Sequence, residues 1–238
     1  MQEFRAEFIE RIERTKSVFS FRFKPQEVLN FIPGQFTQVL FDETNKANRN
    51  LNKYLSFSCR PGKEYFELTK RISGSDFSKK LLSLQRGSSV LFKRPMGHCV
   101  LGDERGKYAF LIGGIGITPA ISILEDIVDQ HKTIDICLLY SNLTSEDIPF
   151  FAELDAWASA TAGIRVVHTV VNCALKDKQC FVGMITKEFV AAQIPDYAKR
   201  SFYIFGPPGM VGAMSRICQD LGCLPENVKT ENFIGYND

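Results

Sequence analysis

The chain has 238 residues, 45% of them hydrophobic, with 29 basic and 27 acidic residues and a formal net charge of +2. That length suits two domains of about 100–130 residues each, and the near balance of charge excludes the strongly basic field of a nucleic-acid binder. No apolar run approaches the ~18 residues of a membrane span, and the charged start MQEFRAEFIERIERTKS lacks a signal-peptide core.

In chain order, the first hundred residues change period often and hold short β-like runs at 4–12, 18–23, 35–41, 65–71 and 89–92. Gly34, Gly62, Gly74 and Gly87 punctuate them. Short strands at this spacing predict an antiparallel β-barrel. One helix is expected inside this half, from Asp76 to about Leu84, because Phe77, Leu81 and Leu84 recur at helical spacing. Ser75 or Asp76 is positioned to cap it. The polar stretch 42–53 reads as a surface loop. The charged turn at 102–107 divides the chain into domains 1–103 and 104–238.

Beyond that turn the rhythm becomes strand then helix. Strands are expected at 108–112, 134–140, 164–171, 201–205 and 227–230, and helices at 119–129, 148–159, 186–192 and 210–221. Apolar strands separated by helices imply a parallel sheet covered on both faces.

Three strand ends in this half carry chemistry. Phe110-Leu-Ile-Gly-Gly-Ile-Gly-Ile-Thr-Pro119 is a buried strand running into a glycine turn and a helix. Glycines allow close backbone approach, and helix N–H groups can hold a phosphate. Thr118 is placed to cap that helix, and Pro119 suits its first turn. The pattern departs from the GxGxxG dinucleotide fingerprint. Gly206-Pro207-Pro208-Gly209-Met210 also stands between an apolar strand and a helix. Ligands of open parallel sheets bind beyond the carboxyl ends of the strands, so two such turns can line one crevice. The third end, Tyr140-Ser141-Asn142-Leu143-Thr144, offers polar residues to a ribose or phosphate, or simply caps a loop.

Seven cysteines at 59, 99, 137, 173, 180, 218 and 223 are odd in number and scattered. That usage points to a reduced, cytoplasmic chain. Cys218 and Cys223 have no further cysteines beside them that would complete a cluster. His98, His131 and His168 show no ligand spacing, so no metal site is expected.

Taken together, these motifs resemble the ferredoxin–NADP reductase family, in its single-chain form without a fused iron–sulfur domain. The resemblance runs from Phe4 to Tyr236 and rests on Gly113–Pro119, Tyr140–Ile148, Gly206–Met210 and Glu231-Asn-Phe-Ile-Gly-Tyr236, in that order. It implies a β-barrel domain that binds FAD, followed by an α/β domain that binds NADH or NADPH. Hydride would pass from nicotinamide to flavin, and electrons on to a ferredoxin or another redox protein. A soluble flavin or quinone reductase and a non-catalytic nucleotide-binding subunit are the alternatives. The chain is expected to act as a monomer.

The resemblance also assigns residues. Gly114, Gly116, Thr118, Pro119, Ser141, Asn142, Gly206, Pro207, Pro208 and Met210 would lie along the nicotinamide nucleotide. Lys53-Tyr54-Leu55-Ser56-Phe57-Ser58-Cys59 resembles the family's Arg-x-Tyr-Ser-x-x-Ser flavin strand. Lys53 would meet the pyrophosphate, Leu55 would cover a ring face, and Ser56 would act beside flavin N5. Tyr54 would reach the ring only after a one-residue register slip. Arg71, Gly74, Ser75 and Ser78 would serve the flavin diphosphate. At the C-terminus, Phe233 or Tyr236 would shield the ring and Glu231 would assist proton balance. Two positions depart from the family: Phe205 stands where a cysteine is common, and Leu143 where an arginine is common. Without an obvious basic cluster for a 2′-phosphate, NADH is favoured over NADPH.

Overall fold

A computed structural model describes residues 3–102, 106–172 and 180–233. The chain divides into two compact units. One comprises Met1–Val100 with Thr118–Asp126, the other Leu101–Ile117 with Ile127–Asp238.

The first unit is built on six antiparallel strands: β1 (Glu3–Thr15), β2 (Val18–Pro25), β3 (Phe36–Leu40), β4 (Asn52–Ser56), β5 (Phe66–Arg71) and β6 (Ser89–Lys93). Their order is β4-β3-β6-β1-β2-β5. The two edges meet at one isolated bridge, Phe57 to Leu68, with Ser58 N–H donating to the Glu67 carbonyl at 2.8 Å. Helix α1 (Asp76–Leu82) follows β5, capped by Ser75, and stops two residues short of the expected end. Strand β1 is longer than its hydrophobic run because two irregularities, at Phe8/Glu10 and Glu13/Thr15, let the pairing continue past the break in alternation.

One face of this sheet is a phenylalanine core. Phe23 stacks on Phe66 at 5.5 Å and meets the edge of Phe92 at 5.0 Å, and Phe57 stacks on Phe31 at 4.0 Å. Each fully buried ring contributes roughly 2–3 kcal/mol by removal from water. The alternation of β2 and β5 sends Ser20, Arg22, Glu67 and Thr69 the other way, as cross-strand partners. Glu67 is 2% exposed and receives Arg14 at 3.0 Å and Arg22 at 2.9 Å. Thr69 joins Ser20 at 2.7 Å and Ser58 at 2.6 Å. A buried carboxylate is tolerated only when paired in this way.

The second unit is a six-stranded parallel sheet. Its strands are β7 (Lys107–Gly113), β8 (Asp135–Asn142), β9 (Ile164–Val170), β10 (Cys180–Val182), β11 (Ser201–Gly206) and β12 (Val228–Asn232). Their order is β10-β9-β8-β7-β11-β12. The helices that follow its strands are α3 (Phe151–Ala160), α4 (Lys187–Gln193) and α5 (Pro208–Asp220), while α2 (Ile117–Asp129), which follows β7, groups over Thr118–Asp126 with the first unit. Strand β10 was not among the expected strands; three residues on a sheet edge leave too short a pattern to read. Helix α3 starts three residues later than expected. Pro149 keeps Ile148 out of helical geometry, and Phe150 takes a positive φ of 62° before the helix begins.

Strands β7 and β11 are neighbours, with Phe205 level with Ile112. Their exits, Gly113 and Gly206, therefore lie side by side, although they are far apart in sequence. A Cβ on Gly116 would stand 2.6 Å from the Phe205 carbonyl oxygen, and one on Gly113 would collide with the Met210 sulfur. The two turns touch backbone to backbone because Gly116 has no side chain. Gly209, in the first turn of α5, has open space where its Cβ would be.

Gly116→Ala should accordingly destabilise the protein by roughly 1–3 kcal/mol, because backbone cannot swing aside as a side chain can. Gly209→Ala should be neutral or stabilising by up to about 1 kcal/mol. Thermal denaturation of both variants checks the pair; equal losses would show that the Gly116 contact carries no special constraint.

Candidate functional site

In the first unit the candidate residues gather on β4, β5 and the turn that follows β5. Strand β4 pairs with β3 in regular register, Phe36 opposite Ser56 and Gln38 opposite Tyr54. Tyr54 and Ser56 thus share one face, and Tyr54 is 56% exposed with its ring edge against Phe36 at 5.7 Å. This corrects the expectation that Tyr54 needs a register slip. Leu55 points the other way, into the phenylalanine core, so its expected role over a ring face is corrected too. Phe57 belongs to the same core and Ser58 to the polar network around Glu67. Their side chains are committed to structure.

Lys53 lies opposite Val39, on the core-facing side of β4. Lys70 occupies the equivalent phase of β5, following Phe66 and Leu68. It is 7% exposed, and its Nζ donates to the Arg71 carbonyl at 3.0 Å. Burial and the nearby charge of Lys53 push its ammonium down to about 8. Sequence reading passed over Lys70 as a site residue. The signal was present: a lysine falls where the alternation Phe66, Leu68 calls for an apolar side chain.

The turn after β5 is rich in hydroxyls. Ser75 accepts the Ser78 N–H at 3.3 Å as helix cap, and its hydroxyl meets that of Ser78 at 3.0 Å. Ser73 bonds Ser75 at 3.1 Å, and Gly74 has open space around it. Arg71 Nη1 donates to Ser17 Oγ at 2.6 Å.

The remaining candidates stand at the carboxyl ends of the parallel strands or just beyond them. After β7 a short 3₁₀ turn spans Gly114–Gly116, and α2 begins at Ile117. Thr118 therefore sits inside the helix, 1% exposed, and its expected capping role is corrected. Pro119 lies in the first turn of α2, where it is tolerated. Gly114 has φ 52° and open space around its Cα. Its carbonyl accepts a hydrogen bond from Tyr140 Oη at 3.0 Å, which pins the turn to β8. Gly116 acts through its packing on the Phe205 carbonyl.

Asn142 ends β8 at 5% exposure, and neither its amide nitrogen nor its amide oxygen has a hydrogen-bond partner among the described residues. Ser141 beside it is half-buried. Leu143 follows, 61% exposed, and the next turn carries Glu146 and Asp147. On β9, His168 meets Asp155 of α3 at 3.0 Å and packs on Phe151 at 4.6 Å. Burial holds its basicity below the ordinary histidine value, against the pull of Asp155. It serves the seating of α3.

At the end of β11, Phe205 is fully buried beside Phe110 and Tyr203. Pro207 forms the cap position of α5 and Pro208 its first helical residue. Met210 reaches back to Gly113. Glu231 on β12 lies level with Phe205, and Phe233 N–H donates to the Gly206 carbonyl at 3.0 Å. Tyr236 lies outside the described residues.

Comparison with known proteins fits this arrangement. Residues 110–216 match the oxidoreductase NAD-binding domain family. An NADH-cytochrome b5 reductase 1 of Ajellomyces capsulatus (strain NAm1 / WU24) is 27% identical over 208 residues, covering 84% of this chain and 67% of that protein. A flavohemoprotein of Bacillus subtilis (strain 168) is 27% identical over 241 residues, covering 98% of this chain and 60% of its own length. The chain thus spans about three fifths of that flavohemoprotein. Among solved structures, a ferredoxin NADP+ reductase from Neisseria gonorrhoeae with bound FAD and NADP superposes with a TM-score of 0.82 at 20% identity, over 98% of this chain and 99% of that one. At that identity the likeness is one of fold. The resemblance drawn from the motifs is therefore broader than the ferredoxin reductases alone. The chain is similar along most of its length to a cytochrome b5 reductase and a flavohemoprotein, shares its fold with a ferredoxin reductase, and matches the oxidoreductase NAD-binding domain family over residues 110–216.

Proposed function

We propose that this protein takes hydride from NADH, holds FAD on its first unit and passes electrons to a redox protein. In this reading residues 1–103 form a barrel-like flavin domain and residues 104–238 the nicotinamide domain. The observation that carries it is the face of β4, where an exposed Tyr54 ring, buttressed by Phe36, stands two residues from the Ser56 hydroxyl. A flat aromatic surface beside a hydrogen-bond donor suits an isoalloxazine edge.

The residues present fit the group. Lys53 and Lys70 supply positive charge at one end of the core, and the hydroxyls of Ser73 and Ser75 lie on the turn beyond β5. Bound flavin supplies a hydride acceptor that releases electrons singly or in pairs. The chain's own work is to bind, orient and keep water out. Tyr54 offers a ring face, Ser56 a hydroxyl, and the lysines neutralise phosphate. In the second unit Gly114 leaves room for close approach, and the buried Asn142 amide awaits a polar partner.

Three features support NADH as donor. Leu143 presents no cation, and Glu146 and Asp147 follow it closely, so a 2′-phosphate would meet like charge. The similar reductases named for cytochrome b5 are NADH enzymes by name. That likeness also supports a haem protein as acceptor, beside a ferredoxin. The six described cysteines are free thiols, in keeping with a reducing compartment.

Anaerobic mixing of FAD-loaded protein with each nucleotide should bleach flavin absorbance at least about tenfold faster, per unit concentration, with NADH, a difference of about 1.4 kcal/mol. Equal rates would remove the donor assignment, and no bleaching with either would remove the enzyme reading. Lys53→Ala should weaken FAD binding about tenfold to a hundredfold, as expected for a lost charge-assisted contact. Its single-turnover reduction, measured at saturating FAD, should change far less. Unchanged FAD affinity would take Lys53 out of the diphosphate site.

A further inference from the structure

Helix α5 ends in a closed turn. Leu221 takes the C-cap position and Gly222 follows it with φ 77°. Cys223 N–H then donates to the Cys218 carbonyl at 2.9 Å, and Gly222 N–H to the Gln219 carbonyl at 2.9 Å. This nested pair of bonds is the Schellman motif. Its geometry sets the side chain after the glycine against the one three residues before the cap, and an apolar pair commonly fills those two places. Here both are cysteines.

The buried stripe Val211, Met214 and Cys218 carries the first cysteine into the core on one face of the parallel sheet, where it is 1% exposed. Cys223 packs against the same cluster and is half-buried. Both are free thiols. The Cys218 S–H donates a hydrogen bond to the Cys223 sulfur, so the two side chains meet as the turn requires. Among the described residues no metal-holding group of histidine, cysteine or carboxylate side chains includes them. The chemistry the pair offers is that of a dithiol.

The same hydrogen bond separates two roles. Burial raises both thiols, Cys218 to about 12, but the bond favours the thiolate of Cys223 and opposes that of Cys218. Exposure points the same way, since Cys223 is the one of the two that a reagent reaches from solvent. Cys223 is placed to attack and Cys218 to resolve.

We propose that Cys218 and Cys223 form a redox-modification site, a dithiol that small-molecule disulfides of the glutathione type convert to an intramolecular disulfide stapling the end of α5. The step is thiol–disulfide exchange. The Cys223 thiolate attacks one sulfur of the reagent, the reagent's S–S bond breaks, and its other half leaves and takes up the proton that Cys223 released. Cys218 then gives up its proton and attacks the Cys223 sulfur, expelling the second half as a thiol. The protein loses two electrons and two protons, and the reagent gains both to become two thiols. The contact between the sulfurs makes the second attack intramolecular. A helix of 13 residues is about 20 Å long, so the site stands well away from the Gly206–Met210 turn and does not depend on what binds there.

The test maps thiols in the folded, full-length protein after incubation with excess oxidised glutathione, by alkylation, trypsin digestion and mass spectrometry. The segment between Arg216 and Lys229 holds both cysteines and no other. Wild type should yield it with both thiol hydrogens gone and no alkyl group attached, and dithiothreitol should return both thiols. Cys218→Ser should stop at a lasting glutathione adduct on Cys223. In Cys223→Ser, adduct formation on Cys218 should be at least about tenfold slower than that on Cys223 in the other variant. The oxidised wild type should melt a few degrees above the reduced protein, because the bridge constrains the unfolded chain. Two free thiols after prolonged oxidation, a glutathione that stays on wild-type Cys223, or a Cys218 that reacts as fast as Cys223 would overturn the proposal. A disulfide that leaves the melting temperature unchanged would overturn the stapling role. If a serine variant fails to fold, the wild-type mapping decides alone.

Discussion

The second unit depends on a backbone contact, the approach of the turn after β7 to the turn after β11. Gly116 packs on the Phe205 carbonyl, where no Cβ fits, and Gly113 leaves room for the Met210 sulfur. Parallel pairing places the two exits side by side, and helices α2 and α5 start from them. Tyr140 fixes the same turn from the third strand by bonding the Gly114 carbonyl. Three strand ends are thereby held to one geometry before any ligand arrives. Such preorganisation lowers the ordering cost of binding a long, flexible dinucleotide.

The glycines divide into two kinds of work. Gly113 and Gly116 are small because protein lies against them. Gly114, with its positive φ, and Gly209 face open space. The first pair builds the turn and the second leaves it accessible. A motif read as one phosphate-binding unit is therefore a packing device joined to an approach surface. Asn142 adds a cost at the same end of the sheet. A buried amide that finds no partner among the described residues costs about 1–3 kcal/mol to desolvate.

The first unit makes a similar concession. Its interior is a close-packed set of phenylalanine rings, and the polar residues of β2 and β5 pair among themselves on the other face. Against that order, Lys53 and Lys70 enter on the apolar side. Local rules are broken most often where a protein binds something. Tyr54 is the complementary exception: a large aromatic ring left exposed while its neighbours are buried.

The sequence by itself determined the class of fold. Alternating apolar runs marked the antiparallel half, and strand–helix repeats with glycine turns marked the parallel half, because these periods follow from backbone geometry alone. It also marked the two glycine turns, Gly113–Pro119 and Gly206–Met210, as breaks between strand and helix. Side-chain direction was decided only by tertiary structure. Leu55, Phe57 and Ser58 look like site residues along the chain, yet cross-strand register and burial turn them into the core and the Glu67 network. Thr118 looks like a cap until the 3₁₀ turn shifts the start of the helix. Period is a property of neighbours in sequence, whereas burial, charge proximity and steric exclusion are properties of neighbours in space.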